Sequence, residues 1–225
     1  MSVTSIVNTE ALECFNSRKA AVDNHPSIFT DIYQENINIA IWERSLNNEI
    51  NSCVDNFLQS HSNYRTSLVA KPDTVFENLA KTESALINAE TLCKDISEIV
   101  EMFCVLFDLE EAGLRLTTLD RAMCPRFHVD RVPCRLVCTY SGVASEWLPH
   151  DAIDRSKLGN GNKGLSDEES GLYQSEQHIN RLKVGDVAML KGELWEGNEN
   201  AGLVHRSPQV PAGEKRLLLT LDFLS

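Results

Sequence analysis

Beyond Gly113 the chain consists of short β-rich segments separated by glycine, proline or asparagine, and this pattern constrains the fold more than any other feature. Short strand-like segments punctuated in this way are typical of an all-β sandwich or barrel. The segments are LRLTTL (114–119), RFHVD (126–130), CRLVCTY (134–140), VAMLKG (187–192), LVHRS (203–207) and RLLLTLDF (216–223). Residues 113–225 are therefore predicted to form a β core.

The preceding part, residues 1–112, is predicted to be mainly helical. NINIAIW (36–42) alternates as a half-buried strand does. Apolar residues then recur every three or four positions in two stretches, one capped by Ser45 and one running from about Ser84 to Leu109, with Gly113 as its stop. We expect both helices to pack on the larger sheet of the core, which makes the predicted fold class α+β.

Composition limits the classes of partner. The formal net charge is −12 and no basic block is present, so no nucleic-acid partner is expected. No run is long enough to span a membrane, and MSVTSIVNTEALECF (1–15) lacks the features of a signal peptide. The seven cysteines form no CxxC pair, which favours reduced thiols. A cytoplasmic protein without a membrane partner is therefore expected.

His128 and Asp130 lie two residues apart on a predicted strand and so point to the same face. One imidazole and one carboxylate are two thirds of the facial triad that holds non-haem iron(II). His205 lies in a hydrophobic strand-like segment and is the candidate third ligand, whereas the other four histidines lie in polar surroundings. A hydrogen-bonded histidine beside a surface aspartate is the competing interpretation of the H-x-D tripeptide alone.

Arg216 begins the last predicted strand. Alternation places Arg216, Leu218 and Thr220 on one face of this strand. The opposite face is entirely apolar and suits packing against the helices. A buried arginine needs an anionic partner, and a forked guanidinium matches a carboxylate. That partner could be a dicarboxylate co-substrate or an internal aspartate or glutamate.

The order of these residues resembles that of the iron(II)/2-oxoglutarate-dependent dioxygenases: an H-x-D, a distal histidine, and an arginine about ten residues further on after a glycine turn. The fold of that family is a double-stranded β-helix, a jelly-roll, cupin-like barrel. The resemblance implies that His128, Asp130 and His205 hold Fe(II), and that Arg216 binds the far carboxylate of 2-oxoglutarate. Tyr140 is a weaker candidate for the same carboxylate, and a core tyrosine with a bonded hydroxyl is equally compatible with its position.

A second resemblance covers nearly the whole chain. IWER (41–44), CPRFHVD (124–130), CTYSGVASEWLP (138–149) and HRSP (205–208) resemble an uncharacterised bacterial family described only as a domain of unknown function. Members of that family tend to be linked with zinc-responsive gene neighbourhoods. This resemblance implies a rival role in zinc homeostasis, and the same three ligands accept Zn or Mn as well as Fe.

Two further features leave alternatives open. The polar 150–180 loop is either a lid over the site or a disordered insertion. Cys134 and Cys138 lie four apart on a strand, too far from each other to clasp one ion, and are expected in the core.

Three functions fit the sequence: an oxygenase acting on an unidentified small molecule or protein, a non-catalytic metal-binding protein, or an interaction module without metal.

Overall fold

The computed structural model describes residues 17–224, except the side chain of Thr82. The expectation that no signal peptide is present concerns residues 1–15, which lie outside the described residues, as does the start of the 1–112 segment. The described chain is α+β. It forms two sheets from the strands β1 (Lys19–Asp23), β2 (Ile37–Trp42), β3 (Arg65–Ala70), β4 (Ala112–Leu119), β5 (Cys134–Ser141), β6 (Glu146–Leu148), β7 (Asn180–Arg181), β8 (Val187–Lys191), β9 (Val204–Arg206) and β10 (Arg216–Asp222).

The larger sheet has seven strands in the order β1-β2-β8-β5-β10-β4-β3. Its neighbours are antiparallel except for the parallel pair β1–β2. The smaller sheet has the order β7-β6-β9, and an isolated antiparallel bridge between His128 and His205 extends it on the β9 side. The predicted strand at 126–130 is therefore reduced to a bridge, while the other predicted segments form strands within two residues of the expected bounds.

The helices are α1 (Asn48–Ser60), α2 (Val75–Glu77) and α3 (Glu90–Phe107). Short 3-10 segments lie at Pro26–Tyr33, Ser84–Leu86, His150–Ala152, Arg155–Lys157, Gly159–Asn162 and Glu176–His178, and a π turn lies at Asn78–Thr82. Among the described residues, none of these helices combines the length and the apolarity that crossing a membrane requires.

The helix ends differ from the predicted ones for local reasons. Asn47, not Ser45, caps α1, because its side-chain oxygen accepts a hydrogen bond of 2.8 Å from the Ile50 backbone N–H. Helix α3 ends at Phe107, and the residue that caps it, Asp108, adopts a left-handed conformation with φ of 52°. Gly113 is not the stop, since it already lies within β4.

The helical layer packs on one face of the large sheet. Leu217, Leu219 and Leu221 of β10 share a buried cluster with Ile96 and Phe103 of α3. Leu218 points the other way and packs in a second cluster that Trp147 of the small sheet joins. The two faces of β10 therefore separate the helical layer from the space between the sheets.

The 1–112 segment is more than a helical layer. Its described part contributes three strands to the large sheet, with β1 and β2 beyond β8 at one edge and β3 beyond β4 at the other. Only β2 was expected. In β2 all residues from Ile37 to Ile41 are buried, so it is a fully buried strand and not a half-buried one.

The 150–180 segment is folded. Leu172 and Tyr173 are buried in a small cluster with Phe127, Leu148 and Val204. This packing attaches the segment to the strand bridge that carries His128.

Candidate metal centre

His128 and His205 face each other across the strand bridge. Each backbone N–H donates to the other residue's carbonyl oxygen at 3.0 Å, which makes them a directly opposed pair. Their ring centroids are 4.6 Å apart. Two histidines that are 77 positions apart in the chain are thus held side by side by main-chain hydrogen bonds.

Both imidazoles are oriented by backbone carbonyls. Nδ1 of His128 lies 2.9 Å from the carbonyl oxygen of Arg126, and Nδ1 of His205 lies 3.2 Å from that of Leu203. When each Nδ1–H donates to its carbonyl, the lone pair of each Nε2 is free to bind a metal. Burial is the main cause of a lowered pKa for His128, and the neighbouring His205 adds to it, which favours the neutral, ligating form.

Asp130 completes the group. Its Oδ1 lies 3.6 Å from Nε2 of His128, and its Oδ2 lies 3.2 Å from Nε2 of His205. Burial opposes its ionised form, yet the adjacent His205 and the guanidinium of Arg135 hold its pKa well below the usual range. Asp130 is therefore a carboxylate at neutral pH.

Arg135 of β5 holds this carboxylate from behind. Its Nη1 donates to Oδ2 of Asp130 at 2.7 Å, and its Nε and Nη2 donate to Asp222 at 2.7 and 3.1 Å. The Asp130 carbonyl accepts from the Glu193 N–H at 2.9 Å. Gly192 permits this approach, because a Cβ there would lie 2.0 Å from the Val132 carbonyl oxygen.

The three side chains fit a metal ion. Each offers one ligand atom, and these atoms lie within 4.8 Å of one another. Two imidazole nitrogens and one carboxylate oxygen form the donor set of a facial triad, which leaves positions open for other ligands. The ligand set predicted from the sequence is brought together in space.

Arg216 is fully buried at 0% exposure, yet no carboxylate of residues 17–224 pairs with it. Its guanidinium donates only to hydroxyls: Ser207 at 2.9 Å, Thr139 at 3.2 Å and Ser145 at 2.8 Å. Its Nε has no hydrogen-bond partner in the described structure. Burial lowers its pKa to about 10, so the side chain remains cationic at neutral pH. No acid among the described residues therefore explains this buried charge.

A narrow cavity of about 60 Å³ connects the two parts of the site, because His128, His205 and Arg216 all line it. Arg135 and Ser145 form part of its wall, and Met123 lies at its rim, half exposed. A larger cleft of about 500 Å³ lies between residues 149–154 and 171–178. None of the site residues lines that cleft.

Tyr140 does not contribute to this cavity, which corrects its assignment as a carboxylate ligand. It is buried in the cluster under the helices, and its hydroxyl donates to Asp95 of α3 at 2.5 Å. Thr139, one residue earlier, points to the opposite face and contacts Arg216. Strand alternation therefore places Tyr140 in the core.

The prediction for the two cysteines is confirmed. Cys134 and Cys138 are buried in the core under the helices, where burial raises the pKa of both thiols. Arg206 points away from His205 and donates to Glu146 at 2.7 Å. Sequence reasoning missed Arg135 and the three hydroxyl residues, although the alternation of β5 places Arg135 and Thr139 on one face.

The chain matches known proteins at two levels. The family model described as "Protein of unknown function (DUF1826)" matches residues 23–222. A search of curated proteins finds no match. A rice dioxygenase for auxin oxidation is similar in structure, with a TM-score of 0.51 and 11% identity over 93% of this chain and 83% of the rice chain.

Other similar structures score lower. A Pseudomonas putida prolyl-4-hydroxylase gives a TM-score of 0.43 at 10% identity, covering 89% of this chain and 99% of its own. An oxidoreductase of the 2OG-Fe(II) oxygenase family from Burkholderia pseudomallei gives 0.42 at 9%, covering 92% and 94%. Of these three, the rice structure has the score that supports a common fold, and at 11% identity the likeness extends to the fold alone.

Proposed function

Because the chain belongs to the DUF1826 family, whose function is unknown, we propose its function from the site: it is a non-haem iron(II)- and 2-oxoglutarate-dependent oxygenase. His128, Asp130 and His205 would hold Fe(II), and Arg216 would bind the far carboxylate of 2-oxoglutarate. The observation that carries the proposal is Arg216, a buried cation without an acidic partner in residues 17–224, in the same cavity as the three ligands.

The strand order supports a double-stranded β-helix, the fold of the dioxygenase family. Strands β4, β10, β5 and β8 are neighbours in the large sheet. The His128 bridge, β9, β6 and β7 are neighbours in the small one. Along the chain these eight segments pass between the sheets in the way a double-stranded β-helix requires, and we assign that fold to residues 112–222.

The residues around the cavity have distinct tasks in this proposal. The hydroxyls of Ser207, Thr139 and Ser145 position the Arg216 guanidinium, and the orphaned Nε–H of Arg216 is a donor that a ligand carboxylate would satisfy. Arg135 fixes the Asp130 carboxylate. When bound, iron(II) and 2-oxoglutarate would supply the oxidation of a substrate by dioxygen, while the protein provides orientation and excludes water.

A non-catalytic metal-binding role linked to zinc homeostasis is the alternative, because the same donors accept zinc. Such a role leaves the buried charge of Arg216 without a purpose. The two proposals therefore differ in one property, the binding of 2-oxoglutarate beside the metal.

The deciding experiment is an anaerobic titration of metal-free protein, first with Fe(II) and then with 2-oxoglutarate, followed by visible absorption. We expect a broad charge-transfer band that His205→Ala abolishes and Arg216→Lys weakens. The matched control is His25→Ala, an exposed histidine in a loop far along the chain from the site. Iron binding without the band would favour the metal-binding alternative, and no metal binding would overturn both.

A further inference from the structure

A groove of about 360 Å³ adjoins the metal cavity. It is lined by residues 63–65, at the start of β3, and by residues 118–123, at the end of β4. Met123 lines both this groove and the metal cavity, so the two spaces meet at its side chain. A molecule lying in the groove would end at the rim of the site.

The walls of the groove are tied together by the main chain. The Thr118 N–H donates to the Tyr64 carbonyl oxygen at 2.8 Å, and the Thr118 hydroxyl donates to the His61 carbonyl oxygen at 3.3 Å. The Tyr64 hydroxyl is held by Glu83 at 3.0 Å. The strand ends that carry Tyr64 and Thr118 are thus fixed to each other, while Arg121 and Met123 lie in the irregular segment that follows β4.

The groove carries positive charge that the protein does not neutralise. Arg65 and Arg121 are exposed, and neither has an ion-pair or hydrogen-bond partner for its guanidinium in residues 17–224. The acid in the groove, Asp120, is itself paired with Lys215 at 3.9 Å. Two arginines without partners thus lie beside a cavity, although the formal net charge of the chain is −12.

We propose that this groove binds the primary substrate of the site, and that this substrate is anionic, with a carboxylate or phosphate group held by Arg65 and Arg121. A guanidinium fork matches either anion with two hydrogen bonds. The reacting part of the molecule would then extend past Met123 toward the metal. That the bound molecule is a substrate rests on the proposed function. That the groove binds an anion does not depend on it.

The test follows the methionine methyl groups by ¹³C NMR in metal-free protein, titrated with inorganic phosphate and, separately, with benzoate. Met102 and Met189 are internal references, because Met189 is fully buried in the core and Met102 lies on α3. We expect the Met123 signal, assigned with Met123→Leu, to move saturably while the references stay. The stronger of the two probes identifies the anion class.

Variants separate the groove from the metal cavity. Combined Arg65→Gln and Arg121→Gln should weaken binding at least about ten-fold. Lys19→Gln, which removes one charge at the far edge of the same sheet, should leave it unchanged, whereas loss of the response in Arg216→Lys would place the anion in the metal cavity and overturn the groove. Equal binding in the double variant and the wild type overturns the anionic groove.

The outcome is independent of the iron titration. A charge-transfer band in a protein whose Met123 signal does not respond would support the oxygenase and contradict anion binding in the groove. Without the band, a response at Met123 that Arg216→Lys preserves and the arginine double variant loses would establish the anion site and contradict the oxygenase.

Discussion

Arg135 donates a hydrogen bond of 2.7 Å to Oδ2 of Asp130, and so a guanidinium lies directly behind the carboxylate of the candidate metal centre. The same guanidinium donates hydrogen bonds to both carboxylate oxygens of the buried Asp222. Asp130 is thus fixed in orientation by a residue that is itself anchored. Groups of this kind orient metal ligands and tune their affinity.

Replacing Arg135 should weaken metal binding. We expect Arg135→Gln to reduce Fe(II) and Zn(II) affinity about 10- to 100-fold, because Asp130 would lose its support. Competition with a chromophoric chelator measures this effect. The matched control is Arg115→Gln, since Arg115 also pairs with Asp222, at 2.8 Å, but does not contact Asp130. Equal affinities in the two variants would reduce Arg135 to a structural residue.

Removing the charge of Arg216 should not destabilise the ligand-free protein. A buried cation without a counter-ion costs desolvation energy, so Arg216→Met is expected to leave the free energy of unfolding unchanged or raise it by about 1 kcal/mol. The variant should also lose the stabilisation that 2-oxoglutarate gives to the Zn(II)-loaded wild type. Urea denaturation with and without 2-oxoglutarate checks both expectations, and a loss of more than about 2 kcal/mol would reveal an overlooked partner.

The metal ligands could be predicted from the sequence because they depend on local spacing. Side chains two apart share a face, which places His128 beside Asp130, and His205 stood out as the histidine inside an apolar segment. Likewise, the alternation along β10 correctly assigned Leu217 and Leu219 to the helical side. These features can be predicted from the few residues on either side of each position.

The remaining contacts depend on pairings that the sequence does not encode locally. Strand β3 joins the large sheet through β4, far along the chain, and its edge position leaves a weak pattern. The support of Asp130 by Arg135 depends on the path of residues 130–134, which turns away from a regular strand. For Tyr140 the sequence left two interpretations open, because the residue that binds its hydroxyl, Asp95, lies on a helix far along the chain.

A partly buried arginine, Arg44, should behave in the opposite way to Arg216. Arg44 forms hydrogen bonds of 2.6 and 2.8 Å to the two oxygens of Asp95, which is 6% exposed. Arg44→Met should therefore cost about 3–5 kcal/mol of unfolding free energy, because it leaves a carboxylate buried without its cation. Tyr140→Phe removes one hydrogen bond to the same carboxylate and should cost about 1–3 kcal/mol. A neutral result for Arg44→Met in urea denaturation would contradict the contrast with Arg216.

The last prediction concerns pH. Lys191 is 1% exposed, its Nζ donates to the Gln34 carbonyl oxygen at 2.9 Å, and it lies 4.8 Å from the centre of the Trp195 ring. Burial lowers its pKa to about 8 from the ordinary 10.5. Between these two values the unfolded chain holds a proton that the folded protein lacks, so the contribution of Lys191 to stability increases as pH rises from 8 to 10.5.

Lys191→Met isolates this contribution. Cysteine and tyrosine residues also titrate in alkaline solution, but they do so in both proteins, so the difference between wild type and variant reports Lys191 together with the buried Cys134, whose thiol interacts electrostatically with it. Urea denaturation of both at pH 7, 8 and 9.5 should show the wild type gaining stability relative to Lys191→Met as the pH rises. A constant difference across that range would mean that Lys191 stays protonated in the folded protein, held by Gln34 and Trp195 against the cost of its burial.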